Sequence, residues 1–203
     1  MNLGEITTLW REKMQETIEE NSHWDNSEVR DTFINPALKE FAAQLPREIL
    51  PTLVKEITNA VVGGKVTLPA DYVDLIYMED KDKKPVHIVG VEDKAKIRVS
   101  VYWEGITGEM NVTIEDGKFV IDPSTYADNI TYLYIRNPVD LTISTSVPEI
   151  PLRLHRTLVY FAVAMGYEDL KEPEMAKYYN DMVQSKIAFE WEKLKETRRN
   201  NDL

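Results

Sequence analysis

The chain contains no cysteine, which excludes a disulfide framework and any thiolate metal site. Basic residues are in deficit: 24 Lys and Arg stand against 35 Asp and Glu, a formal net charge of −11. Sequence-independent nucleic-acid binding draws its affinity from neutralised phosphates, so a chain of this sign is not built to grip DNA or RNA. Long apolar runs are missing too. The longest, Leu158 to Met165, falls far short of the roughly 20 residues a membrane-spanning helix needs. The opening "MNLGEITTLWREKMQETIEEN" carries acidic residues at 5, 12, 16, 19 and 20, unlike the basic, apolar-cored pattern of a secretory leader. The expectation is a cytoplasmic protein, or one assembled in a cytoplasm, with no membrane role.

What is present is ordinary for a globular protein. Hydrophobic residues make up 43% and charged residues 29% of 203 positions, enough for one domain or two small ones with a sizeable core. Leu3, Ile6, Leu9/Trp10, Lys13/Met14 and Thr17/Ile18 recur at three- and four-residue steps, predicting an amphipathic helix that "NSHWD" breaks. Asp25 then stands as an N-cap with Glu28 in capping-box position. Val29, Phe33/Ile34, Ala37/Leu38, Phe41 and Leu45 form a second stripe, which Pro36 should kink or restart. "PREILPTLVKEITNAV" predicts a third, shorter helix ended by Gly63-Gly64.

At that glycine pair the apolar period changes from about 3.6 to 2. "KVTLPADYVDLIYME", "KIRVSVYW", "MNVTIEDGKFVIDP" and "NITYLYIRNP" read as strands. Asp116-Gly117 should form the type I′ tip of a hairpin. Residues 65 to 145 are therefore expected to form about five mostly antiparallel strands. Two helices follow, as an αα-hairpin. The first opens with Pro151 at N1 and is ended by Gly166 and the short "EDLKEP" segment. The second starts at Pro173 with an apolar stripe of Met175, Tyr178/Tyr179, Met182/Val183, Ile187, Trp191 and Leu194, and frays in "KETRRNNDL". The fold class is α+β: a helical bundle built from both chain ends (1–62 and 147–203) with a small, mostly antiparallel β region (63–146) inserted between them.

A search for chemistry finds little. His155 shares a helical face with Val159, Ala162 and Gly166, small residues suited to close helix packing, so it reads as a packing or interface histidine. His23 and His87 lie in other segments, and no HExxH spacing points to zinc. Asp80 and Asp82 resemble the start of a calcium loop, but Pro85 and Val91 occupy the positions that need glycine and glutamate. "GITG" at 105–108 lacks the helices of a nucleic-acid clamp, and Gly-rich phosphate loops and nucleophile elbows are absent. Lys193, Lys195, Arg198 and Arg199 form a basic cluster that complements a helix C-terminus. No cofactor, metal or catalytic residue is indicated. An interaction or structural protein outranks an enzyme.

"LPADYVDLIYM", "GKFVIDP", "ITYLYIRNPVDLT" and "LHRTLVYFAVAMGYEDLKEPEMAKYY", in this order after an N-terminal helical region, resemble the tailed-bacteriophage head–tail adaptor proteins, also called connector or neck ring proteins. The resemblance runs over roughly residues 25 to 195 and rests on patterns of residue type. It implies a structural virion protein: a homo-oligomeric ring of about twelve copies under the portal, at the virion neck. Such a ring extends the DNA channel used in genome ejection and offers a platform for tail assembly. The implied partners are the portal protein and tail or neck proteins, with DNA passing through the lumen without sequence-specific binding. It further implies that Lys193, Lys195, Arg198, Arg199 and Leu203 lie in a portal-docking tail. His155, Val159, Ala162, Gly166 and Trp191 become helix-packing or subunit-interface residues. The alternatives are another virion ring or accessory protein, for tail completion or the capsid, and a small enzyme with an unfamiliar carboxylate or histidine site.

Overall fold

Helix formation begins at the second residue. Asn2 caps the first turn, accepting from the Glu5 N–H while the Glu5 carboxylate returns to the Asn2 N–H, and α1 runs over Leu3–Met14. The computed structural model describes residues 1–15, 23–90 and 110–201, with side chains through 199 at the C-terminal end. The expected strand at 96–103, the "GITG" loop and Leu203 lie outside the described residues. The chain divides into two compact units: Met1–Leu53 with Asn137–Leu203, and Val54–Arg136.

In the first unit the Asp25–Glu28 capping box forms, with each backbone N–H 2.8 Å from the other residue's carboxylate. It opens a helical turn (Asn26–Glu28) that widens into a π-helix (Val29–Ile34) and resumes as α2 (Asn35–Gln44). Pro36 explains the widening. It has no N–H for the Thr32 carbonyl and its ring would strike that oxygen; the Asn35 N–H bonds five residues back, to Arg30. Pro36 thus restarts the helix at its first turn.

Residues 137–150 lie against these helices. Asn35 takes both backbone groups of Leu141, donating to its carbonyl at 3.2 Å and accepting its N–H at 2.9 Å. The N–H groups of Leu3 and Gly4 donate to Ser146 and Ser144. A 3-10 turn (Leu152–Leu154) capped by Pro151 leads into α3 (His155–Asp169). Pro151 therefore precedes a 3-10 turn and is not N1 of the α-helix. α3 runs through Gly166, whose missing side chain admits Trp10 and Met14 of α1, and ends at Asp169 within the expected "EDLKEP" segment. α4 (Pro173–Asn201) completes the αα-hairpin. Its "KETRRN" stretch is helical, not frayed.

The second unit holds two sheets. β1 (Val54–Ala60), β7 (Asn129–Arg136) and β3 (Tyr72–Glu79) form an antiparallel sheet in the order β1-β7-β3. β2 (Lys65–Thr67), β6 (Lys118–Asp122), β5 (Asn111–Glu115) and β4 (His87–Ile88) form the other, with β4 parallel to β5. Six described strands fall within 65–145, where about five were expected, and β1 precedes them. β1 corrects the predicted third helix. "PREIL" and "PTL" make only 3-10 turns, and "VKEITNA" pairs residue for residue with β7. Val54, Ile57 and Thr58 are β-branched, and Gly63 and Gly64, both at positive φ, turn the chain back into β2. Asp116 (φ 48°) and Gly117 (φ 69°) form the predicted I′ tip. Ile130, Tyr132 and Tyr134 alternate along β7 and pack with Phe119, Ile121 and Met78 in the unit's core.

Candidate partner-binding surfaces

The residues singled out in the sequence fall into three environments. His155 is fully buried. Its Nε2 donates to the Ile150 carbonyl oxygen at 3.0 Å, and its Nδ1 lies 3.0 Å from the Met1 amino nitrogen and 3.1 Å from the Met1 carbonyl. Both ring nitrogens are occupied by main-chain groups, so the imidazole anchors the start of α3 and has no atom left for a substrate. Val159, Ala162 and Gly166 are buried on the same helix. Trp191 is not brought together with them: it stands 41% exposed on α4.

The basic cluster is the exposed end of α4. Lys195 donates to Glu192 at 2.7 Å and the Arg198 guanidinium pairs with Glu48, while Lys193 and Arg199 face solvent. Salt bridges this exposed contribute little.

The predicted α4 stripe separates into two. Tyr179, Val183 and Ile187, joined by Ala176, are buried, and Tyr179 stacks on Tyr167 of α3 at 5.8 Å between ring centres. Glu190 ends this inward stripe at 2% exposure, with Arg153 Nη2 3.0 Å and Lys186 Nζ 3.1 Å from its carboxylate. Burial pushes the Glu190 carboxyl upward, but the hydrogen bonds from Arg153 and Lys186 outweigh it and hold the group below the ordinary glutamate value. Met175, Tyr178 and Phe189 remain on the surface. Sequence reading missed Glu190, although its signal was there: a lysine four residues back and an arginine just before the partner helix.

Two further surfaces belong to the first unit. Val139, Ile143, Val147 and Leu152 project from the segment that Asn35 and α1 hold in place. Beside it lies an open groove of about 630 Å³, lined by Thr7, Thr8, Ser27, Thr142 and Ser144 with Arg11 and Arg30. Its arginines are engaged: Arg11 Nη2 donates to the Trp24 carbonyl at 2.8 Å and to Asn26 Oδ1 at 3.0 Å, and Arg30 pairs with Asp31 and donates to Thr142 O. The Asp80 carboxylate accepts the N–H groups of Asp82 and Lys84 at 2.8 Å, closing the charged turn. Among the described residues no cluster of three or more His, Asp or Glu side chains is placed to hold a metal ion, and no helix is long and apolar enough to cross a membrane.

The first unit thus combines a histidine held by main-chain groups with exposed apolar side chains. Residues 1–201 match the family model described as SU10 adaptor protein. The chain belongs to that family, one of phage head–tail adaptors. No curated protein matches the sequence.

Proposed function

We propose that the protein is a ring-forming head–tail adaptor that docks beneath the portal of a DNA-filled capsid, continues the DNA channel and presents the tail with its attachment surface. Family membership over nearly the whole chain carries the reading. The charge supports it: about twelve copies at −11 amount to roughly −130, and a lumen of that sign repels passing DNA. The exposed aliphatics of residues 139–152 suit contacts between subunits or with the portal. The basic end of α4, with Lys193, Lys195, Arg198 and Arg199 on its surface, is the portal-docking tail in this reading. Docking then exchanges the Glu48–Arg198 pair for an acidic portal surface.

The test is the mass of the purified protein alone and with its cognate portal, followed by imaging of the complex. A ring on the portal is expected; a monomer that ignores the portal overturns the proposal. Removing residues 195–203 is expected to weaken portal binding without unfolding the chain. Unchanged binding would remove the docking role from the tail.

A further inference from the structure

β1 keeps one edge open. Val61 donates to the Asp128 carbonyl at 3.2 Å and the register with β7 is unbroken. The alternation of an antiparallel ladder therefore directs the main-chain bonds of Lys55, Ile57 and Asn59 toward β7. Val54, Glu56, Thr58 and Ala60, all exposed, point their N–H and C=O groups the other way. Among the described residues β7 is the only strand beside β1, and no other main-chain group bonds to these outward ones. The remaining edges of the two sheets are blunted. β3 carries two register shifts and a bridge to Pro85, while β2 and β4 are three and two residues long. Short or bulged edges discourage pairing with another chain; β1, seven residues long with no bulge or proline, leaves that route open.

The occupant of such an edge is an extended backbone, and β1 fits its own copy. In an antiparallel pair centred on Ile57, Val54 meets Ala60 and Glu56 meets Thr58 of the other copy in hydrogen-bonded pairs, so every outward group finds a partner. Ile57, packed at the margin of the unit's core, meets its own counterpart, and Lys55 meets Asn59. The two Glu56 carboxylates lie only diagonally across the seam, exposed to solvent. Other arrangements fit less well. Centring on Glu56 opposes two carboxylates directly, and centring on Thr58 sets Val54 against the turn at Val62. A parallel pair stacks Lys55 on Lys55 and Glu56 on Glu56. No other described edge of a second copy is long and regular enough to serve. We infer that the free edge of β1 binds the same edge of a second copy, antiparallel about Ile57, joining the two β1-β7-β3 sheets into one. This two-fold contact closes on itself and cannot repeat around a ring. Resting on the adaptor reading, the dimer is a state of the unassembled protein that opens before docking.

With no cysteine in the chain, one introduced thiol reports the register. Opposed residues of a non-hydrogen-bonded pair lie within disulfide reach, so Ile57→Cys should oxidise to a covalent dimer of the full chain. Thr58→Cys, more exposed but facing Glu56 of the copy, should cross-link far more slowly. Glu56→Pro removes an N–H that the β7 ladder does not use, and should give a monomer in sedimentation with unchanged circular dichroism. Thr58→Glu, which opposes Glu56 of the copy, should raise the concentration of half-dimerisation about tenfold or more. A monomeric mass for the wild type at every concentration overturns the inference. So does a dimer that Glu56→Pro leaves intact, or one that Thr58→Cys links as fast as Ile57→Cys. The adaptor reading stands apart: rings on the portal from a protein that never dimerises sink this inference alone, and a dimer that ignores the portal sinks only that reading.

Discussion

Gly166 of α3 and Trp10 of α1 approach so closely that a Cβ at 166 would lie 2.9 Å from Trp10 Cζ2. Trp10 cannot retreat easily, because Phe33 stacks on it at 5.3 Å and Trp24 meets it edge-on at 5.5 Å. An alanine here gains up to about 1 kcal/mol of helix propensity, yet overpacking a filled core costs about 1–3 kcal/mol. Gly166→Ala should therefore lower stability by about 1 kcal/mol, read as a reduced urea midpoint at unchanged slope.

Asn35 should be more costly to lose. Its side chain alone satisfies the backbone N–H and C=O of buried Leu141, and each buried group left unpaired costs about 1–3 kcal/mol. Asn35→Ala is expected to destabilise the first unit by about 3 kcal/mol. Amide exchange at Leu141 should accelerate ahead of exchange in the β region.

Glu190 gives a pH dependence of defined sign. Its folded pKa is below the ordinary value of 4.5, so the folded state binds its proton less readily than the unfolded chain does. The resulting stabilisation is complete above the unfolded pKa and is lost as pH falls through the folded one. Wild type should exceed Glu190→Gln by about 2 kcal/mol near neutrality, the scale of hydrogen bonds to a charged group. That gap should narrow on acidification below about pH 4.5. Parallel stability curves down to pH 2 would contradict this account.

At the β5–β6 tip, Gly117 has φ 69° with open space around the position of a Cβ. Only backbone strain then opposes a side chain, at about 1–2 kcal/mol. Gly117→Ala should loosen the hairpin by that amount, measured as faster exchange at Thr113 and Val120, which pair across it, while Gly117→Asn should recover part of the loss.

Local chemistry was readable along the chain. The Asp25–Glu28 cap, the Asp116-Gly117 tip and the start of α4 at Pro173 each depend on neighbours within a few residues, and so does the alternation of Ile130, Tyr132 and Tyr134. The family was legible through such patterns strung in order along most of the chain.

Other features were decided only by the tertiary structure. Val54–Ala60 became a strand because β7, some seventy residues later, supplied a full ladder of partners that outweighs a modest helical preference. α3 ran on through Gly166 because α1 filled the space its side chain would have taken. The apolar stripe of α4 divided because α3 covers only part of the helix's circumference, burying Tyr179 and Val183 while leaving Tyr178 and Phe189 in solvent. A hydrophobic period states that a face will be buried. What buries it, and which of two adjacent faces is chosen, depends on residues far away in sequence, whose contacts exist only once the chain has closed.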